Sequence, residues 1–352
     1  MNKYNDDLAE PGFKTVTKRS NPVSQQDVAN LAGVSKQTVS RVSNGLTNVE
    51  EATREKVLAA MSQLGYRPNS AARALRSGRF HNIGVIMFNL SEYGNVKTLD
   101  AVASAATAAG YAITLMPVAS ATEKEVTGAF NRLSEQAVDG IVILIEAHML
   151  DASDVHLPPG VPVVIVDSNA DSTYTVVDAD QELGARQATE HLLALGHTSV
   201  FHVAGPKESF SAGHRADSWR RTLQEHGTEV AEPLYGDWSV ESGYRAGLQL
   251  APLNEITAVF CANDQMALGV LRAMHEFGRK VPESISVVGF DDTPDGAGYW
   301  PPLTTIRQDF SELGKQTLAA LLHLIGGAKP GGRTIIPTQL VERSSTGPVP
   351  RP

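Results

Sequence analysis

Residues 27–45 read DVANLAGVSKQTVSRVSNG, a pattern that predicts two short helices joined by a tight turn. Ser24 can N-cap the first helix, with Asp27 as the acidic member of a capping box. Gly33 ends that helix, and Ser35 is placed to N-cap the second one. This spacing of helix, glycine turn and helix is typical of motifs that place a second helix in the major groove of DNA.

The second helix carries side chains that can contact DNA. Lys36 and Arg41 can donate to guanine, and Gln37 can pair with adenine. A further group of polar side chains can hold phosphates, namely Ser35, Thr38, Ser40 and Asn44. The alternative is a helical hairpin inside a larger core. It is disfavoured because polar side chains crowd the face that would have to be buried.

A third helix is predicted at about Glu51 to Leu64, with Val57, Leu58, Met61 and Leu64 at helical spacing and Gly65 as its stop. An Ala-rich stretch over residues 67–78 follows. It is too short to hold a stable helix alone in water. The stretch is therefore either an interdomain linker or a helix that forms only when something packs on it.

The composition excludes several classes of protein. The 352 residues are 42% hydrophobic and 20% charged, which excludes global disorder. The sequence has no apolar run of membrane-spanning length and no signal-peptide core, so we expect no membrane partner. The single cysteine, Cys261, excludes an internal disulfide framework and fits a cytoplasmic location.

The charge is unevenly distributed along the chain. Residues 1–80 carry 12 Lys and Arg against 7 Asp and Glu, whereas the whole chain has a net charge of −9. A basic head on an acidic body suggests that one end meets a polyanion, although a local fluctuation of a few charges explains the count about as well.

From His81 onward, apolar runs alternate with helical segments. The runs lie at 83–88, 112–116, 140–145, 161–166, 199–203, 258–261 and 285–290. Such runs predict parallel sheets covered on both faces, and their number predicts two lobes. Ligands of these folds bind beyond the carboxyl ends of the strands, which points to Asp167, Asn263 and Asp291.

Motifs for metal or enzyme chemistry are missing. His191, His197, His202 and His214 lack metal-ligand spacing, and there is no nucleophile elbow, P-loop or Rossmann glycine pattern. We therefore expect no metal, no cofactor and no enzyme activity. A carbohydrate enzyme remains an alternative, because paired carboxylates such as Asp167 and Asp291 can do acid–base work.

The sequence resembles the lactose repressor family (LacI/GalR-type transcriptional regulators) from Val23 to about Arg343. The matching motifs are 32–35 (AGVS), 37–42 (QTVSRV), 53–57 (TREKV), 68–69 (PN), 190–192 (EHL), 195–197 (LGH), 236–239 (GDWS), 262–269 (ANDQMALG) and 301–306 (PPLTTI). Short motifs such as AGVS are shared by the whole family. The motifs GDWS, 263–269 (NDQMALG) and 308–310 (QDF) are more specific and point to the galactoside-responsive branch.

The resemblance implies a small all-α helix-turn-helix head, a hinge helix and a two-lobed α/β core with parallel sheets, like periplasmic sugar-binding proteins. The predicted domains are a flexible arm at 1–22, the DNA-binding head at 23–67, the hinge at 68–80, the core at 81–343 and a disordered tail at 344–352. Lobe 1 takes about 81–179 and 310–337, and lobe 2 takes about 180–307 and 338–343.

The family's functional residues carry over by motif. Lys36, Gln37 and Arg41 fall on its base-reading positions, and Asn69, Ala72 and Leu75 on the DNA-contacting hinge, with Leu75 as a minor-groove wedge. The sugar-binding positions are Asp167, Ser211, Arg215, Trp238, Asn263, Asp291, Gln308 and Phe310. The dimer positions are Met266, Leu268 and Tyr299. In lobe 1, Glu92, Gly94 and Asn95 stand where the family's galactoside-responsive branch has apolar contacts.

The expected function is a sugar-responsive repressor that binds a pseudo-palindromic operator in double-stranded DNA as a homodimer and is released by a galactoside-type inducer. Within the family, a different sugar or activation in place of repression remains an alternative. A sugar-binding protein without regulation is a further alternative, which the basic head disfavours.

Overall fold

The computed structural model describes residues 23–67, 78–88, 90, 92–118, 123–144, 160–168 and 173–349. The chain divides into two compact units, an N-terminal head that ends at Gly78 and a core that begins at Arg79. The predicted N-terminal arm and most of the predicted hinge lie outside the described residues. None of the helices in the described ranges combines the length and the apolar character that crossing a bilayer requires.

The head contains three helices, α1 Gln25–Ala32, α2 Lys36–Ser43 and α3 Glu51–Leu64. Ser24 and Asp27 form the predicted capping box, in which the Ser24 Oγ accepts from the Asp27 N–H and the Asp27 carboxylate accepts from the Ser24 N–H. Gly33 ends α1 in the left-handed conformation (φ 66°), which a glycine adopts without strain. The three predicted helices and their caps are thus confirmed.

A small apolar cluster holds the head together. Its buried members are Val28, Ala29, Val39, Val42, Val57, Ala60 and Met61. Leu58 is half exposed, contrary to the predicted buried face of α3. The reason is that α3 packs on only one side of a three-helix head, so a narrow stripe of its residues is covered.

Lobe 1 of the core is a six-stranded sheet of order β11-β5-β4-β3-β1-β2 with parallel pairing throughout. Its strands are β1 Asn82–Phe88, β2 Ala112–Val118, β3 Gly140–Leu144, β4 Val163–Val166, β5 Thr175–Ala179 and β11 Arg333–Ile336. Its helices are α4 Tyr93–Ala108, α5 Glu123–Glu135 and α10 Phe310–Ile325. Buried aliphatic side chains of the strands pack against α4 and α10 on one face and against α5 on the other.

Lobe 2 repeats this plan with the order β12-β10-β9-β8-β6-β7, in which only the pairing of β12 with β10 is antiparallel. Its strands are β6 Phe201–Ala204, β7 Leu234–Tyr235, β8 Ala258–Cys261, β9 Ser286–Asp291, β10 Thr304–Arg307 and β12 Gln339–Val341. Its helices are α6 Gln181–Ala194, α7 Phe210–Glu225, α8 Val240–Leu250 and α9 Asp264–Glu276.

The predicted two-lobed α/β core is confirmed. The chain passes between the lobes three times, after β5, after β10 and after β11. Because the strands of both sheets point their carboxyl ends at the same cleft, the residues that follow them meet there. Five strands, β5, β7, β10, β11 and β12, were not predicted. Polar or charged side chains interrupt the apolar run in four of them, and β7 has only two residues.

The tail is ordered over most of its length, which corrects the predicted disorder of residues 344–352. The Ser345 side chain is fully buried and donates to the carbonyl of Val287 at 2.6 Å, and the Val349 N–H donates to the carbonyl of Leu195 at 3.0 Å. Tertiary hydrogen bonds to lobe 2 therefore order a Pro-rich segment whose composition alone suggests disorder. Its last three residues lie outside the described part of the chain.

Candidate functional site

The DNA-reading candidates lie on the outer face of α2. Lys36 and Gln37 are exposed in its first turn and Arg41 is half-buried one turn further on, while Val39 and Val42 face the apolar cluster. The side chains of Lys36, Gln37 and Arg41 make no hydrogen bond or ion pair with the residues that the structure describes. The helix is therefore anchored by its apolar side and presents donors on the other.

The phosphate-contact candidates form hydrogen bonds with one another within α2 and at its ends. The Ser35 Oγ accepts from the Thr38 N–H at 3.1 Å, which caps the helix, and the Asn44 side chain donates to Ser40. These bonds fix both ends of a helix of only eight residues. The hinge candidates Asn69, Ala72 and Leu75 lie outside the described residues.

All eight sugar-binding candidates line one cleft between the lobes. Lobe 1 contributes Asp167 and Phe310, and lobe 2 contributes the other candidates, namely Ser211, Arg215, Trp238, Asn263, Asp291 and Gln308. The structure thus brings together residues that lie up to 143 positions apart in sequence.

Arg215 is the centre of a buried polar network in this cleft. It is only 4% exposed, and its Nη1 lies 3.9 Å from Asp291 Oδ1. Its Nε donates to Gln181 Oε1 at 2.8 Å, and Gln308 Nε2 donates to Asp291 Oδ1 at 2.7 Å. The guanidinium carbon lies 3.7 Å from the ring centroid of Phe290, which fixes the plane of the cation. Arg215 Nη1 also donates to the Ala262 carbonyl, so a ligand oxygen in the cleft would meet a guanidinium already fixed in position beside a carboxylate.

Trp238 forms a flat wall of the cleft. It adopts φ 68° and packs on Gly205, where a Cβ would lie 2.4 Å from the indole Cη2. The Trp238 carbonyl accepts from Asn263 Nδ2 at 3.0 Å, and Asn263 Oδ1 caps α9 by accepting from the Met266 N–H at 2.8 Å. The position of the Trp238 ring therefore depends on the absence of a side chain at Gly205, which lies behind the ring.

The lobe 1 wall is polar at the first turn of α4. Asn95 Nδ2 donates to Glu92 Oε2 at 2.9 Å, and both residues line the cleft together with Gly94. Tyr93 packs edge-on against Phe310, with 6.1 Å between ring centroids. Burial, followed by the charge of Asp291, raises the pKa of Tyr93 to about 12, so its hydroxyl stays protonated at neutral pH.

A second carboxyl group lies behind Asp291. Asp264 is fully buried and accepts from the Thr305 hydroxyl at 2.6 Å and from the Thr293 N–H at 2.7 Å. Burial, and then the charge of Asp291, raise the pKa of Asp264 to about 7. This carboxyl is therefore partly protonated at neutral pH, which reduces like-charge repulsion beneath the cleft.

Sequence reasoning missed Gln181, which lines the cleft and joins Arg215 to Gln308. Its Nε2 donates to Gln308 Oε1 at 3.3 Å while its Oε1 accepts from Arg215. Gln181 begins α6 directly after the short strand β5. Since β5 itself was not recognised, nothing in the sequence marked Gln181 as a strand-end residue.

The three dimer candidates differ in exposure. Leu268 on α9 and Tyr299 are partly exposed, whereas Met266 is fully buried in lobe 2 with its sulfur next to Gly236. The assignment of Met266 to an interface is therefore wrong for its side chain, because the side chain faces inward into the apolar core of lobe 2. Trp300, beside Tyr299, is 92% exposed and adds apolar surface there.

The histidines considered as metal ligands have other partners. His202 stacks on Phe260 with 4.6 Å between ring centroids, and burial lowers its pKa to about 4. His197 bonds to the hydroxyls of Thr257 and Ser286, and His214 bonds to Glu182. Within the described ranges, no group of three or more His, Cys, Asp or Glu side chains is arranged to hold a metal ion.

Known proteins resemble this chain along nearly its whole length. Residues 25–69 match the family described as bacterial regulatory proteins, lacI family, and residues 189–346 match a periplasmic binding protein-like domain. The lactose operon repressor of Escherichia coli (strain K12) is 39% identical over 329 residues, covering 92% of this chain and 91% of that protein.

Two solved structures are similar as well. The lac repressor dimer bound to operator and the anti-inducer ONPF has a TM-score of 0.82 at 37% identity, covering 93% of this chain and 100% of that one. The transcriptional regulator CelR in complex with cellobiose has a TM-score of 0.68 at 31% identity, covering 92% of this chain and 99% of that one.

Proposed function

This chain belongs to the lacI family of bacterial regulatory proteins, and we propose that within this family of DNA-binding repressors it is a regulator that a galactoside releases from its operator. The proposal places the protein in the cytoplasm as a homodimer whose two heads read the two halves of a pseudo-palindromic operator. The eight sugar-binding candidates, the hinge residues and the dimer candidates Leu268 and Tyr299 take their roles as part of this proposal.

The cleft is the observation that carries the effector proposal. Arg215 and Asp291 of lobe 2 face Asp167 of lobe 1 across it, so one bound sugar would contact both lobes. Carboxylates accept from sugar hydroxyls, the guanidinium donates to two oxygens, and Trp238 offers a flat apolar face to C–H groups. A sugar that binds one arrangement of the lobes better than the other shifts the protein toward it and so changes operator affinity.

The two ends of the cleft differ in chemistry. The Arg215 network and Trp238 favour a galactosyl group, whereas Glu92 and Asn95 favour a polar substituent on it. A β-glucoside such as cellobiose is the competing effector, since a relative binds it.

Calorimetry with galactose, galactosyl disaccharides, alkyl galactosides and cellobiose decides between a galactoside and a β-glucoside as the effector. Galactosides should bind best, because a reversed hydroxyl leaves buried partners unpaired. Preferential binding of cellobiose would refute the galactoside proposal.

We expect Gly205→Ala to weaken galactoside binding about tenfold, a cost of about 1.4 kcal/mol. The added Cβ would displace the Trp238 ring from the cleft wall. The measurement is calorimetry, supported by the tryptophan fluorescence change on sugar addition, which should shrink.

Gly128→Ala is the matched control for Gly205→Ala. Gly128 lies inside α5, and a Cβ there would meet nothing within 4 Å. This variant should bind galactosides like the parent and gain slight stability from its better helix propensity. Equal affinity of the Gly205→Ala variant and the parent would show that Trp238 does not form part of the sugar contact.

We expect Leu268→Asp to shift the dimer toward monomer at micromolar concentration and to weaken operator binding about tenfold or more. A buried charge disfavours an apolar interface, and a monomer loses the gain of two linked half-sites. Sedimentation measures the first effect and operator titration the second. Leu253→Asp, at a 40% exposed position elsewhere on lobe 2, is the control. If both variants stay dimeric, Leu268 lies outside the interface.

A further inference from the structure

The backbone at Asp167 is held by a carboxylate that does not itself line the cleft. Asp167 follows β4 and adopts φ 57°, a left-handed conformation that residues with a side chain rarely take. Asp178, on the neighbouring strand β5, accepts from the Asp167 N–H at 2.6 Å and from the Ser168 N–H at 3.3 Å through the same oxygen, Oδ1. This carboxylate thus fixes the turn from which the Asp167 side chain enters the cleft.

Arg333 completes the arrangement from the edge strand β11. Its Nη1 lies 3.1 Å from Asp178 Oδ2, and its Nη2 donates to the Ser168 carbonyl at 2.8 Å. The guanidinium therefore holds the carboxylate and the turn at once, with its own strand paired to β5. Because β11 follows α10 in sequence, residues 155 positions apart are needed to shape one turn.

The electrostatics agree with a pair that is charged at neutral pH. Asp178 is 5% exposed, and burial raises its pKa to about 6. Arg333 opposes this shift more strongly than either of the two backbone N–H groups does. Without the cation, the carboxylate that orders the turn would more readily take up a proton, and its two hydrogen bonds would weaken.

Lobe 2 has a related arrangement at the opposite wall, in which the aspartate of the ion pair belongs to the turn itself. Asp291 and Asp292 adopt φ 109° and 53°, and Asp292 is paired with Arg307 Nε at 2.6 Å and with Arg343. Both turns that carry a carboxylate of the cleft in a left-handed stretch of backbone thus lie next to an Asp–Arg pair. A strained backbone of this kind persists only where its surroundings determine it.

We propose that Asp178 and Arg333 are positioning residues that set the direction of the Asp167 side chain and thereby determine the affinity for the effector. This inference rests on the proposed function, in which Asp167 contacts the sugar. The two residues act on the ligand only through the turn.

The test is calorimetry of methyl β-galactoside with the full-length chain. Asp178→Asn places an amide against Arg333, and Arg333→Gln removes the cation; each should weaken binding about tenfold or more, as expected when a charge-assisted bond is lost. Arg333→Lys, which keeps the charge but loses the fork, should restore part of the affinity. The double variant Asp178→Asn, Arg333→Gln should bind methyl β-galactoside no more weakly than whichever single variant binds it more weakly. The two losses do not add, because the two residues act as one unit.

Asp139→Asn is the matched control, since Asp139 also accepts from two backbone N–H groups, those of Phe80 and His81, both at 2.7 Å. It lies at the amino end of β3, away from the cleft, and should leave galactoside affinity unchanged. In the Asp178 and Arg333 variants operator affinity without sugar should match the parent, which a general loss of structure would not allow. If Asp178→Asn does not fold, the two Arg333 variants provide the same comparison.

Galactoside affinities of Asp178→Asn and Arg333→Gln within twofold of the parent would overturn this inference while leaving the proposed function intact. The same holds if Arg333→Lys is as weak as Arg333→Gln, or if the effects of the two single variants simply add. A parent protein that binds no galactoside would overturn both the inference and the proposed function.

Discussion

The Arg215→Ala variant is expected to bind galactosides about 30-fold to several thousandfold more weakly than the parent, a loss of about 2–5 kcal/mol. The guanidinium is buried beside Asp291 and linked to Gln181, so its removal deletes a donor to the sugar and leaves a buried carboxylate poorly paired. In cells the result is repression that no galactoside lifts. Calorimetry with a panel of galactosides measures the affinity directly.

Two comparisons make the Arg215 result specific. Arg186→Ala removes an exposed arginine of the same lobe, paired at the surface with Glu190 and Glu225, and should leave sugar binding unchanged. Operator affinity of Arg215→Ala without sugar should equal that of the parent. Unchanged galactoside affinity in Arg215→Ala would refute the assignment of this cleft as the sugar site, even if the DNA-binding function is correct.

The Arg41→Ala variant is expected to lose about 1–3 kcal/mol of specific binding per half-site, hence about 2–6 kcal/mol for a dimer on a symmetric operator. The Arg41 side chain projects from the outer face of α2 and has no partner among the described head residues. Its N–H donors are therefore available to a base. Discrimination should relax at one operator position, and Lys36→Ala should relax it at a different one. Competition binding with operator variants reads out both effects.

Lys56→Ala is the control for Arg41→Ala, because it removes one positive charge from an exposed position on α3 of the same head. Lys56→Ala should weaken binding to specific and to random DNA equally, or leave both unchanged, because phosphate contacts carry no sequence information. If Arg41→Ala and Lys36→Ala also leave the ratio of specific to random binding unchanged, α2 is not the recognition helix.

The head was predictable from sequence because its signals are local. Ser24, Gly33, Ser35 and Gly65 act within one helical turn of their positions, and the observed ends of α1 to α3 follow from them. Burial is less local. The exposure of Leu58 depends on how wide a face its neighbours cover, which periodicity alone does not specify.

The cleft was predictable only in part. Asp167, Asn263 and Asp291 stood out because each follows an uninterrupted apolar run in the sequence, and family motifs supplied the other candidates. Gln181 was missed because β5 contains Asp178, a charge inside a short strand that breaks the apolar run. The charge of Asp178 is compensated by Arg333, and this pairing joins distant parts of the sequence that no local pattern connects.

Long-range contacts also explain the remaining errors. The tail is ordered by bonds such as that of Ser345 to Val287, although its composition suggests disorder. Met266 sits in a motif shared with relatives, yet motif identity does not tell which side of α9 faces inward. Both outcomes depend on tertiary packing rather than on the residues themselves.

The central claim is that one chain couples operator binding to a galactoside in the core. The most direct test is fluorescence anisotropy of the full-length protein on a pseudo-palindromic operator fragment, selected by binding from a randomised library, with and without saturating galactoside. We expect tight, specific binding that falls by tenfold or more on galactoside addition in the parent and stays unchanged in Arg215→Ala. Operator affinity that is the same with and without every galactoside that binds would contradict it.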